Sequence, residues 1–130
     1  MKNNFFILII CLLATGFSKA QSNSKSERNA SEITFVKTEH NFGTIKQGED
    51  CVYEFVYKNT GKNPLVINNV QATCGCTIPT WSKAPLLKGK KDKISVKYDS
   101  NRVGAFSKQV TITSNAKNSP VIISITGVIE

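Results

Sequence analysis

From residue 32 onward, apolar and polar residues alternate along short stretches of the chain. In "DKISVKYDS", Ile94, Val96 and Tyr98 fall on one face and Ser95 and Lys97 on the other. A period of two is what an extended strand with one buried and one wet face requires. The same phase groups Ile33 with Phe35, Tyr53 with Phe55 and Tyr57, and Leu65 with Ile67. It also groups Phe106, Val110 and Ile112, and then Val121, Ile123 and Ile125. A further short strand, "NFGTI", contains Gly43, which marks a bulge or bend. No stretch of ten or more residues carries helical spacing. About seven strands result, separated by Gly, Pro, Asn and Lys turns. The pattern predicts an all-β fold, an immunoglobulin-like β-sandwich of about seven antiparallel strands. A small closed barrel is the alternative.

The N-terminus has a different grammar. Lys2 is followed by the 13-residue apolar run "FFILIICLLATGF" and by the small residue Ala20. Charge, apolar core and small-residue boundary together predict a secretory signal peptide over residues 1–20. The run is short for a membrane span, which takes about 20 apolar residues. Cys11 lies inside the apolar core, so a lipoprotein anchor there is disfavoured. Residues 21–31, "QSNSKSERNAS", are polar and predict a flexible leader ahead of a single domain at 32–130. The expected destination is the periplasm or the exterior. Loss of Lys2 and Lys19 lowers the formal net charge from +8 to +6. A basic surface suits an anionic cell-envelope component, although dispersed lysines are equally a solvated surface.

Three segments add a family resemblance. They are "HNFGTIKQGE", "YEFVYKNTGKNPLVINNVQATCGCT" and "YDSNRVGAFSKQVTITSN". Their His-x-Phe-Gly-x-Ile opening (His40–Ile45), Asn-Thr-Gly turn (Asn59–Gly61), Cys-Gly-Cys (Cys74–Cys76) and Gly-x-Phe-x-Lys (Gly104–Lys108) occur in order. The chain thereby resembles a family of secreted bacterial domains of unknown function, common in Bacteroidetes-like genomes. The resemblance covers roughly residues 33–130 and implies an immunoglobulin-like sandwich related to Hydin-type and major-sperm-protein-type domains. It implies a binding or scaffolding module with no established enzymatic activity. Cys51 lies outside the pattern.

Once the signal is removed, three cysteines remain: Cys51, Cys74 and Cys76. An odd number in an oxidising compartment leaves several outcomes open. If successive strands alternate in direction, all three sulfurs gather at one pole. A bridge from Cys51 to Cys74 or Cys76 would close a loop of more than 20 residues and stabilise by about 3 kcal/mol. A Cys74–Cys76 bridge is the local alternative, with Gly75 permitting the bend. It would add little stability and suit thiol redox chemistry. Copper or zinc held by Cys74 and Cys76, with His40 or Cys51 completing the site, is a third outcome. His40, the sole histidine, is otherwise expected as a ring packed at the sandwich edge.

Other chemistry is thin. One histidine gives no hydrolase triad outside the signal, and "GKK" at 89–91 lacks phosphate-loop spacing. The loop at 79–93 combines Trp81 with Lys83, Lys88, Lys90, Lys91 and Lys93. It is a candidate binding surface, or a cap in which Trp81 covers the sandwich end and the lysines are solvated. Nucleic acid is excluded as a partner by the export signal. The sequence therefore predicts a non-enzymatic module that binds a protein or envelope component, with a thiol redox or copper-handling protein as the alternative.

Overall fold

The computed structural model describes residues 29–130, together with residue 16 alone. The signal peptide and most of the leader lie outside the described residues. Every regular element among the described residues is a strand: β1 (Ile33–Phe35), β2 (Glu39–Ile45), β3 (Val52–Asn59), β4 (Ile67–Ala72), β5 (Thr77–Thr80), β6 (Lys91–Tyr98), β7 (Gly104–Ser114) and β8 (Val121–Ile129). They form two four-stranded sheets, β1-β3-β6-β5 and β2-β8-β7-β4. The inward residues meet between the sheets. Phe55, Ile94, Val96, Val110, Ile112, Ile123 and Ile125 are buried there, which is the layered core that alternation implies.

Two details depart from the expected seven antiparallel strands. The eighth strand is β5, whose four residues "TIPT" invert the usual polarity: Thr77 is buried and Ile78 is 60% exposed. The second departure is that β2 runs parallel to β8. The chain leaves β1 at Phe35, crosses from one sheet to the other over residues 36–38, and continues as β2 without reversing. A strand that switches sheets keeps its direction, so it lands parallel to a neighbour that a hairpin would have made antiparallel. The bulge expected at Gly43 is present. The β2–β8 register shifts between Asn41 and Thr44, Gly43 takes φ 68°, and its amide donates to Asn41 Oδ1 at 2.8 Å.

The domain also begins earlier than residue 32. Ser31 is buried, its hydroxyl donates to Asn115 Oδ1 at 3.0 Å, and its carbonyl accepts from the Lys117 amide. The Ala30 carbonyl accepts from the Lys62 amide. The end of the expected leader is thus built into the sandwich.

The Asn-Thr-Gly turn anchors this end. Asn59 is fully buried, and its side-chain amide donates to the carbonyls of Asn63 (2.8 Å) and Leu86 (2.9 Å). Its Oδ1 accepts from the Gly61 amide at 3.0 Å. One side chain thereby satisfies three backbone groups of two loops, as burial of polar groups demands.

Candidate functional site

The Cys-Gly-Cys stretch forms the corner at which the chain passes from β4, an edge of one sheet, to β5, an edge of the other. Cys74 and Cys76 are joined by a disulfide, with their Cα atoms 5.3 Å apart. Gly75 at the tip faces open space. The two sulfurs are not equivalent. Cys76 is 3% exposed and belongs to the core, whereas Cys74 is half-buried. The hydroxyl of Thr77 lies 3.8 Å from both sulfurs.

Cys51 remains a free, buried thiol, and burial raises its pKa above the usual thiol value. Of the bridges the sequence leaves open, the structure contains the local one and not the long one from Cys51. All three cysteines do lie toward one pole, but β6 stands between them. The Cys51 carbonyl accepts from the Tyr98 amide (2.9 Å) and the Cys76 carbonyl from the Asp99 amide (2.8 Å), on opposite sides of the β6 end. Strands that share a neighbour are about 10 Å apart, beyond the roughly 7 Å Cα limit for a disulfide.

The candidate metal set is likewise dispersed. His40 is on β2 and the corner adjoins β4, at opposite edges of one sheet and about 14 Å apart across three strand spacings. Cys74 and Cys76 are committed to each other. Among the described residues, no group of three or more His, Cys, Asp or Glu side chains is placed to hold a metal ion.

His40 is instead an aromatic packing element. Its ring stacks on Tyr53 at 3.7 Å and 8°, and meets the Phe42 ring edge-on at 4.6 Å. Phe42 leads on to Phe106, which stacks on Tyr98 at 3.8 Å. The Nδ1 atom of His40 is buried without a hydrogen-bond partner. Burial, then the neighbouring Lys37 ammonium, lower its pKa from 6.5. The unfolded chain therefore takes up the proton first as pH falls. Stability should be flat above about pH 7 and decline below 6.5, by at most about 1.4 kcal/mol per pH unit. Urea midpoints at pH 7.5 and 5.5 should differ less in His40→Gln than in the parent.

Of the loop candidates, Trp81 is half-buried and packs against the core, with its indole Nε1 buried and unpartnered. Lys83, Lys88, Lys90 and Lys91 are exposed. Lys91 and Lys93 occupy the half of β6 that the short β5 leaves uncovered, since β5 pairs only with Ser95–Tyr98. Lysines on an open edge discourage strand addition there.

Two features had no sequence signal. One is a cleft of about 300 Å³ beside the disulfide, lined among others by Glu49, Asp50, Gly75, Ile78, Lys97 and Asp99. Loops distant in sequence create it, so no motif announces it. The other is the bare edge of β3. β1 pairs with β3 only at Tyr57–Asn59, with one further bond from the Val36 amide to the Val56 carbonyl. The odd residues of β3 bond toward β6, so the backbone groups of Val52 and Glu54 point to the uncovered side. Val36, Val52 and Val56 are exposed around it.

Solved structures share this sandwich at low sequence identity. A protein of unknown function from Porphyromonas gingivalis W83 superposes with a TM-score of 0.69 at 13% identity, over 82% of this chain and 51% of that one. The chain thus spans about half the length of that protein. The ASH/PapD-like domain 7 of human CEP192 gives 0.66 at 10% identity, over 78% of this chain and 87% of that domain. A chain of the CsuC–CsuE chaperone–tip adhesion subunit pre-assembly complex of Acinetobacter baumannii gives 0.56 at 14%, over 75% and 57%. These likenesses establish a PapD-like, immunoglobulin-type sandwich. No curated protein sequence matches the chain. The family model described as "Protein of unknown function (DUF1573)" matches residues 33–129, and the chain belongs to that family.

Proposed function

We propose that the domain is a non-enzymatic binding or scaffolding module, exported to the periplasm or beyond, that engages a protein of the cell envelope through a sheet edge. The observation that carries this reading is the uncovered edge of β3 at Val52–Phe55. Unpaired backbone groups there adjoin exposed Val36, Val52 and Val56. Backbone bonds to an added strand supply affinity, and flanking side-chain contacts supply selectivity. The A. baumannii chaperone complex places a related fold in contact with another protein, which is consistent with this use.

A photo-crosslinker at Val52 in the exported protein tests the reading. The expected result is one dominant adduct in cells, and its absence when the crosslinker sits at Thr113 on the polar outer face of the other sheet. Equal or absent crosslinking at the two positions removes it.

A further inference from the structure

We propose that the Cys74–Cys76 bridge is a thiol–disulfide exchange site that takes two electrons from the dithiol of a partner protein, with attack at Cys74. The inference stands independently of the edge-binding reading. A disulfide that contributes stability does so by closing a long loop of the unfolded chain. This one spans a single intervening residue, so chain entropy gives no reason for it. Its position is that of a reactive group: an exposed tip, open space around Gly75, and an adjoining cleft.

The surroundings also assign the two sulfurs different roles. Cys74 is the one an incoming thiolate can reach, because Cys76 is buried in the core. Exchange requires the attacking sulfur, the attacked sulfur and the leaving sulfur to be nearly in line. Attack at the half-buried Cys74 sends the leaving electron pair inward to Cys76. The Thr77 hydroxyl, 3.8 Å from either sulfur, does not discriminate between them but is placed to donate to the thiolate released. The cleft offers Ile78 and a mixed-charge wall of Glu49, Asp50, Lys97 and Asp99 to the segment carrying the dithiol.

The step balances as follows. A thiolate of the partner bonds to Cys74 Sγ, the Cys74–Cys76 bond breaks, and Cys76 leaves as a thiolate that takes up a proton. The partner's second thiolate then attacks its own sulfur in the mixed disulfide, and Cys74 leaves in turn. The partner dithiol is oxidised to a disulfide and Cys74 and Cys76 become two thiols. Cys51, across β6, takes no part.

Reduced glutathione is the probe, applied to the folded oxidised protein at pH 8, followed by acid quench and peptide mass analysis. The expected adduct is on Cys74, with Cys76 free and Cys51 unmodified. Cys51 also reports folding, because its burial protects it from alkylation in every correctly folded variant. In Cys76→Ser, Cys74 should react with glutathione disulfide at least tenfold faster than Cys76 does in Cys74→Ser, while Cys51 stays protected in both. A thioredoxin-type dithiol protein should reduce the parent without exposing Cys51. Adducts mainly on Cys76, no adduct on the folded protein, or reduction only together with Cys51 labelling would each overturn the proposal.

Discussion

Replacing Asn59 by Asp is expected to destabilise the domain by about 4 kcal/mol at pH 7, more than replacement by Ala. The two side chains have nearly the same shape, so packing does not distinguish them. The difference is in hydrogen-bond polarity. Asn59 donates through one nitrogen to the Asn63 and Leu86 carbonyls at 2.8 and 2.9 Å. Aspartate places a carboxylate oxygen against both carbonyls, in a site with no exposure to water. Asn59→Ala loses the three bonds and leaves the Asn63 carbonyl and the Gly61 amide without the partner Asn59 gave them, while the Leu86 carbonyl keeps the Leu65 amide, a loss of about 3 kcal/mol. The folded-state pKa of the introduced carboxyl must lie above its unfolded value of about 3.9. The penalty is then full above that raised value and is partly relieved as pH falls, when the protonated acid donates one of the two bonds. Urea unfolding followed by the fluorescence of Trp81, the sole tryptophan, measures both effects. If Asn59→Ala proves the more damaging at pH 7, this turn is not held by the donated bonds.

The contrast between legible and illegible parts of the fold follows from what is local. The strands containing Ile94, Val96 and Tyr98, or Ile123 and Ile125, were readable because each repeats one rule along its own length, and all five residues are buried. Gly43 was readable because a positive φ favours one residue type. β5 was not, because its buried position is a threonine beneath the disulfide and its outward one an isoleucine. The identity of the sulfur partners was also not local. Alternating strand direction brings the three cysteines to one pole, but β6 lies between β3 and β5, and only the sheet order tells that Cys51 is screened from the corner. Trp81 and His40 show the same limit. Each looks like a site residue in isolation, and each is spent largely on packing once its neighbours are known. The resemblance motifs turn out to be mostly architectural. Asn59 ties two loops, and Phe106 of the Gly-x-Phe-x-Lys segment lies over Gly127, where a Cβ would come within 2.8 Å of its ring. The Cys-Gly-Cys corner is the motif that packing alone does not account for.

Gly61→Ala should lower stability by about 3 kcal/mol and, unlike most core substitutions, should also turn the domain toward self-association. A Cβ at Gly61 would lie 2.6 Å from the Ser31 carbonyl carbon and closer still to the Ala30 oxygen and Glu32 nitrogen. These are backbone atoms, so no rotamer change relieves the contact. They are also pinned, by the Thr60 amide on the Glu32 carbonyl, the Lys62 amide on Ala30, and the Lys117 amide on Ser31. The added methyl must therefore lift residues 30–32 from the turn. β1 follows directly after and is only three residues long, so it lacks the length to hold its place alone. Its departure would extend the bare edge of β3 from Val52 to Asn59, a full strand of unpaired backbone. Gly75→Ala is the matched control. Its Cβ meets nothing within 4 Å, and a change within about 0.5 kcal/mol is expected. Thermal unfolding and light scattering across a concentration series separate the outcomes. Concentration-dependent association of Gly61→Ala, absent in Gly75→Ala, would show that β1 is the cover of the β3 edge. Equal behaviour of the two would mean that residues 30–32 are not seated on the turn.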